Sequence, residues 1–172
     1  MTKTKTKEER KKELRHIFND TKRIAWIKNH KSKTKKFKEQ PVMISPTIIV
    51  EDSDTVSAAV KYAKMGKTCV LNMASAKTAG GGVAEGETAQ EECLFRCSNL
   101  AETVTQDFYP LEEDEALYSK NVIFFKDRYY NEMDPIKVDV VTVAAVNLNP
   151  NSCYNEETET WMDGLIPQPS NY

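Results

Sequence analysis

The chain has 172 residues, 40% of them hydrophobic and 29% charged, enough apolar material for one globular core without a second domain. Its hydrophobic runs, of which Val138 to Val146 is the strongest, are too short to span a bilayer, and the Lys/Thr-rich N-terminus lacks the apolar region of a signal peptide. These features argue against a membrane partner and predict a soluble protein of the cytoplasm or another intracellular compartment.

The net charge of -2 conceals an asymmetry. Residues 1–38 carry 15 Lys/Arg against 4 Asp/Glu, and residues 39–172 carry 9 against 22. The basic segment has the charge to meet a polyanion such as nucleic acid, although a Lys-rich terminus is more often simply solvated or disordered, and no aromatic interleaving suggests base stacking. Four cysteines, Cys69, Cys93, Cys97 and Cys153, form no C-x-x-C pair. Cys93 and Cys97 share a helical face, but a zinc site would need two further ligands from His16, His30, Cys69 and Cys153 at scattered positions. Reduced, partly buried thiols and no metal are expected.

In chain order, residues 1–7 read as a disordered basic tail and Glu8 to about His30 as a helix, because Leu14, Ile17, Phe18, Thr21, Ile24, Ala25 and Ile27 recur at three- and four-residue steps. The polar run from Lys28 to Pro41 reads as a mobile loop. Thr47 to Glu51 has strand chemistry and leads into a helix capped by Asp52 to Asp54, with Val56, Ala59, Val60 and Ala63 on one face and Gly66 as its stop. Lys67 to Ala74 follows as a second strand, so the succession predicts a βαβ unit whose parallel strands are buried on both faces. Gln90 to Asn99 reads as a helix, Asp107 to Lys120 as an acidic loop, Asn121 to Asp127 as a strand, Arg128 to Pro135 as a turn, and Ile136 to Asn147 as another buried strand. The tail from Asn149 to Tyr172 is polar, holds three prolines and shows no periodicity.

Between the second strand and the helix at Gln90 lies "AGGGVAEGETAQEE", residues 79–92, which holds four of the chain's six glycines. A glycine run persists where a side chain would block something that must approach the backbone, and this one leaves the carboxyl end of a predicted parallel strand, where open α/β sheets gather ligands. The "GKT" at Gly66 to Thr68 is no Walker loop, since Lys61 stands where that motif needs glycine, and no G-x-G-x-x-G is present. What remains is a loop able to turn successive N–H groups toward a diphosphate or ribose, followed by a helix N-terminus. Glu91 and Glu92 project about 100° apart on a helix, so they are not the opposed pair of an ordinary glycosidase. One can reach a reacting bond while the other holds a sugar hydroxyl or orients its partner. The helix N-terminus favours their ionised forms, whereas a general acid needs a raised pKa, so burial beneath a ligand has to outweigh the dipole.

The stretch from Asn72 to Leu100, "NMASAKTAGGGVAEGETAQEECLFRCSNL", resembles the signature of the microbial-type poly(ADP-ribose) glycohydrolases of the macrodomain superfamily, in which three glycines, a spacer and Gln-Glu-Glu follow one another. Arg15 to Thr21 is similar to that family's N-terminal helix, and Asn121 to Asn147 to its later strand pair. The resemblance implies a macrodomain-like three-layer α/β/α sandwich with a mixed sheet over residues 8–150, here the front portion of the domain, with an irregular tail over 151–172. It implies hydrolysis of the ribose–ribose O-glycosidic bond of poly(ADP-ribose), or of such chains on ADP-ribosylated protein, with ADP-ribose as product and no cofactor. Glu92 takes the position of the catalytic residue, and Glu91 that of the residue binding the attacked ribose. Gly80, Gly81, Gly82 and Val83 would line ribose and diphosphate, Gln90 would fix the loop, and Asn72 and Ser75 stand at ligand-side positions, where turn capping is the other reading. Arg96, one turn after Glu92, is placed either to pair with it or to form a surface ion pair.

The sequence departs from the family at Ala79, where proline is usual, and at Ala144 to Asn147, which replace Ala-Pro-Asn. No residues after Pro150 match the family's second glycine-rich loop or its aromatic residue over the distal ribose. The chain is therefore expected to form an unfinished sheet with uncovered apolar surface, and a non-catalytic ADP-ribose-binding module or truncated remnant is the alternative to an enzyme.

Overall fold

A computed structural model describes residues 5–28, 32–38, 47–112 and 115–144, together with two short strands at 154–155 and 160–161. Helix α1 spans Lys7–Ile27 and opens with a capping box in which the Thr6 hydroxyl accepts from the Glu9 N–H and the Glu9 carboxylate accepts from the Thr6 N–H. The part of the basic tail that is described, Lys5 to Lys7, thus already belongs to the helix and its cap. Leu14, Phe18, Thr21, Ile24 and Ala25 form the buried stripe, as the spacing predicts.

The predicted loop from Lys28 to Pro41 contains strand β1, Lys33–Lys38, which pairs antiparallel with β3, Glu115–Lys126. Lysines suit an edge strand because their charge discourages further pairing, and the pair is tied across by the Thr34 and Ser119 hydroxyls at 2.6 Å. Strand β3 starts inside the predicted acidic loop, and β4, Glu132–Ala144, starts inside the predicted turn. The irregular register between Phe124↔Ile136 and Lys126↔Glu132 accommodates Pro135, which cannot donate to the ladder. The sheet order is β1-β3-β4-β2, where β2 is Cys69–Ala74 and runs parallel to β4. The expected mixed α/β class with a mixed sheet is therefore present.

The predicted strand at Thr47 to Glu51 is absent from that sheet. Ile48, Ile49 and Val50 are exposed, and Glu51 instead accepts from Lys61 and Tyr62 of helix α2, Thr55–Ala63. The outer edge of β2 that would receive such a strand is occupied by a side chain, as described below. Helices α2 and α3, Gln90–Cys97, pack on one face of the sheet over Val70, Leu117, Val122, Phe124, Val138 and Val140. On the opposite face of β3, Ile123 and Phe125 meet Ile24 and Ala25 of α1. Buried Lys126 donates to Asp20 and to Thr21, fixing α1 to β3. Strand β2 is buried on one face only, contrary to the expectation of two. Leu71 and Met73 stay exposed because, among the described residues, no helix covers that side.

Beyond Ala144, strands β5, Tyr154–Asn155, and β6, Thr160–Trp161, pair antiparallel. The rest of the predicted tail and the residues after Ala144 in the "AAVN" stretch lie outside the described residues. No helix among the described residues is long and apolar enough to cross a membrane.

Helix α2 is short, so its cap matters. The Asp54 carboxylate accepts from the N–H groups of Val56 and Ser57 at 3.0 and 3.1 Å. Asp54→Ala is expected to lower stability by about 1 kcal/mol in urea unfolding; an unchanged midpoint would show that α2 is held by packing alone.

Candidate active site

The glycine loop and the start of α3 enclose two buried carboxylates. Glu91 is 3% exposed and Glu92 5%. As the i, i+1 spacing demands, they diverge. Glu91 turns toward the end of β2, where it accepts from Ser75 N–H at 2.9 Å, Gly80 N–H at 3.2 Å and Asn72 Nδ2 at 3.4 Å. Glu92 turns into the glycine run, where its Oε1 accepts from Gly82 N–H at 2.9 Å. Its Oε2 is buried and has no hydrogen-bond partner.

What approaches the glycine backbone is thus the protein's own acid pair. A Cβ on Gly81, whose φ is +54°, would lie 2.6 Å from Glu92 Oε1 and 3.0 Å from Glu91 Oε2, and a Cβ on Gly80, at φ +76°, would lie 2.7 Å from the Phe95 ring. Both residues therefore need the absence of a side chain for space and for backbone conformation. The N–H groups of Gly80 and Gly82, read from the sequence as free to face a diphosphate, are engaged by the two carboxylates, and that of Gly81 by Thr78 O. Val83 directs its side chain into the core.

Burial pushes the Glu91 carboxyl above the usual carboxylate range, against the pull of Ser75, Asn72 and Gly80, and the neighbouring Glu92 charge adds to the upward shift. For Glu91, burial outweighs the favourable end of the helix. Asn72 is fully buried and supports Glu91 while also donating to Thr142 Oγ1 at 3.2 Å. It neither caps a turn nor faces solvent. Ser75 caps the turn, its hydroxyl accepting from Lys77 and Thr78 N–H, and its own N–H donates to Glu91.

Gln90 holds the sheet rather than the loop. Its Oε1 accepts from Met73 N–H at 2.9 Å, and its Nε2 donates to Leu71 O at 2.7 Å and to Thr55 Oγ1 at 3.2 Å. One amide thereby imitates a neighbouring strand at the outer edge of β2 and links it to α2. Arg96 makes neither of the pairs expected from its spacing. It is fully buried, and its guanidinium donates to Leu14 O at 3.3 Å and Val83 O at 3.2 Å, joining α1 to the glycine loop. Glycine is required at Gly86 by this junction, since a Cβ there would lie 2.5 Å from Lys11 O.

Two supporting residues carried no signal in the sequence. Gln106 braces the loop by accepting from Ala79 N–H and donating to Lys77 O. The Tyr109 hydroxyl is buried without a partner, and its pKa is pushed up by burial and by the charge of Glu91. Cys69, Cys93 and Cys97 are free thiols, and no group of three metal-ligating side chains occurs among the described residues.

A mixed sheet, a glycine loop leaving the end of a parallel strand and a buried acid pair opening the next helix together make up a macrodomain-like α/β fold. The microbial-type PARG catalytic domain matches residues 2–127, and the chain belongs to that family. Poly(ADP-ribose) glycohydrolase from Thermomonospora curvata bound to the inhibitor ADP-HPD is similar at a TM-score of 0.63 and 21% identity, covering 78% of this chain and 63% of that one. Poly(ADP-ribose) glycohydrolase from Deinococcus radiodurans in complex with ADP-ribose is similar at 0.52 and 24% identity, covering 83% and 54%. The chain thus spans less than two thirds of the length of these structures, and at such identities the likeness shows the fold. No curated protein matches the chain.

Two outcomes follow from the geometry. Gly81→Val is expected to force both carboxylates aside and to cost about 1–3 kcal/mol in urea unfolding; wild-type stability would show that the loop has slack. Because the folded-state pKa of Glu91 is raised, its contribution to stability is largest below the unfolded value and is lost as pH rises through the folded one. The stability of Glu91→Gln relative to wild type should therefore improve as pH rises from 4 toward 7, and a gap independent of pH would contradict the shift.

Proposed function

We propose that this chain hydrolyses the ribose–ribose O-glycosidic bonds of poly(ADP-ribose), releasing ADP-ribose, with Glu92 as general acid and base. One observation carries the reading: Glu92 is held by Gly82 through one carboxylate oxygen, while the other oxygen is buried with no partner. An orphaned buried acceptor is costly unless something completes it, and a substrate oxygen bearing or receiving a proton is suited to that position. In the protonated state Glu92 gives its proton to the departing ribose oxygen, which keeps the electron pair of the breaking bond. The carboxylate then takes a proton from the water that attacks the oxocarbenium-like carbon. Glu91, whose pKa is raised, holds a hydroxyl of the attacked ribose, and the half-buried outer surfaces of Gly81 and Gly82 form the wall against which the ligand rests.

Family membership and the fold of ADP-ribose-bound and inhibitor-bound relatives support this reading. A non-catalytic ADP-ribose-binding module is supported less well, because a pure binder would offer the Gly80 and Gly82 N–H groups to the diphosphate, and both are engaged by carboxylates. The test is release of ADP-ribose from poly(ADP-ribose). Glu92→Gln is expected to lower the rate about 10²–10⁴-fold while calorimetry shows nearly unchanged ADP-ribose affinity. Equal rates in the two proteins would remove Glu92 from the mechanism, and tight binding without turnover in the wild type would favour the module.

A further inference from the structure

The charges of α1 are unevenly distributed around the helix. At about 100° per residue, Lys11, Lys12, Arg15, Lys22 and Arg23 fall on one flank of the buried stripe with a single acid, Glu8, whereas Glu9, Glu13 and Asp20 fall on the other, with Arg10 and Lys28. Lys12, Lys22 and Arg23 are exposed. Three of these cations are paired, Lys11 with Glu87, Arg15 with Glu8 and Arg23 with Asp20, and the last two pairs lie at the surface, where ion pairs contribute little. The linear sequence shows no aromatic interleaving, but the helix brings Trp26, 79% exposed, onto the same flank as Lys22 and Arg23.

The flank starts at the candidate site. Lys11 pairs with Glu87 of the glycine loop, Gly86 lies against the Lys11 main chain, and Arg96 bonds both Leu14 O and Val83 O. From Lys11 the flank continues for about 22 Å to Trp26 at 1.5 Å per residue. A cationic stripe ending in an exposed indole matches a polymer that alternates phosphates with stackable bases. We propose that this flank of α1 is the docking track for the part of poly(ADP-ribose) that extends beyond the cleavage site. The proposal rests on the glycohydrolase reading above. Single-stranded nucleic acid shares the chemistry, but the continuity of the track with the loop over Glu91 and Glu92 favours the polymer cleaved there.

The test uses the full chain carrying Glu92→Gln to prevent turnover, with and without Lys12→Gln, Lys22→Gln and Arg23→Gln together. Poly(ADP-ribose) binding is followed by fluorescence anisotropy over a range of salt, and ADP-ribose binding by calorimetry. The triple substitution is expected to weaken polymer binding about tenfold or more, to reduce the slope of log K against log salt by about 2, and to leave monomer affinity unchanged. Trp26→Ala is expected to weaken polymer binding without changing the slope. Polymer affinity and slope indifferent to these substitutions, or losses as large for single-stranded DNA of equal phosphate number, would overturn the track. Failure of the parent protein to bind ADP-ribose would instead overturn the glycohydrolase reading, whereas retained monomer binding with an indifferent polymer would overturn the track alone.

Discussion

Two adjacent carboxylates are buried at the start of α3, and the surrounding backbone is arranged to replace the water they have lost. Burying an ionisable carboxyl costs several kcal/mol unless donors meet it. Three main-chain N–H groups, from Ser75, Gly80 and Gly82, supply most of that replacement. Main-chain donors can come this close only if the chain passes directly over the carboxylates, which is the approach that Gly81 permits, while Gly80 lets the loop close on Phe95. The glycine run is therefore first a clamp on the acids. It orients them, and it leaves Glu92 Oε2 buried without a hydrogen-bond partner.

The clamp needs a support of its own. Arg96 reaches from the opposite end of α3 to the carbonyls of Val83 and Leu14, so the helix bearing the acids also fixes the loop above them and the helix beside them. Gln90, one residue before the acid pair, closes the outer edge of β2 with its amide. Thus a single short helix ties the sheet edge, the loop and α1 to the same carboxylates, and displacement of any of these three is transmitted to the acid pair.

The parts legible in the sequence were those in which residue type is dictated locally. The three- and four-residue spacing of Leu14, Phe18, Thr21 and Ala25 marks α1, and the ordered glycines and Gln-Glu-Glu mark the acid pair. The parts that were not legible depend on tertiary competition. Thr47 to Val50 have strand propensity, yet the Gln90 amide occupies the β2 edge that would pair with them. Lys33 to Lys38 look like a solvated loop, yet β3 offers them an edge where lysine is tolerated. Arg96 stands at helical spacing from Glu92, but burial turns it toward carbonyls; Asn72 is buried against Glu91 and Thr142. In each case the partner lies far away in sequence, and neither period nor propensity contains it.

Native-state hydrogen exchange at the Gly80 and Gly82 amides tests the central claim most directly, because each N–H is assigned to a different carboxylate. Both amides are predicted to be protected in the wild-type chain. Glu91→Ala should release Gly80, Glu92→Ala should release Gly82, and each variant should spare the other amide. Rapid exchange of both in the wild type, or protection that survives loss of the assigned carboxylate, would show that the loop does not clamp the acid pair.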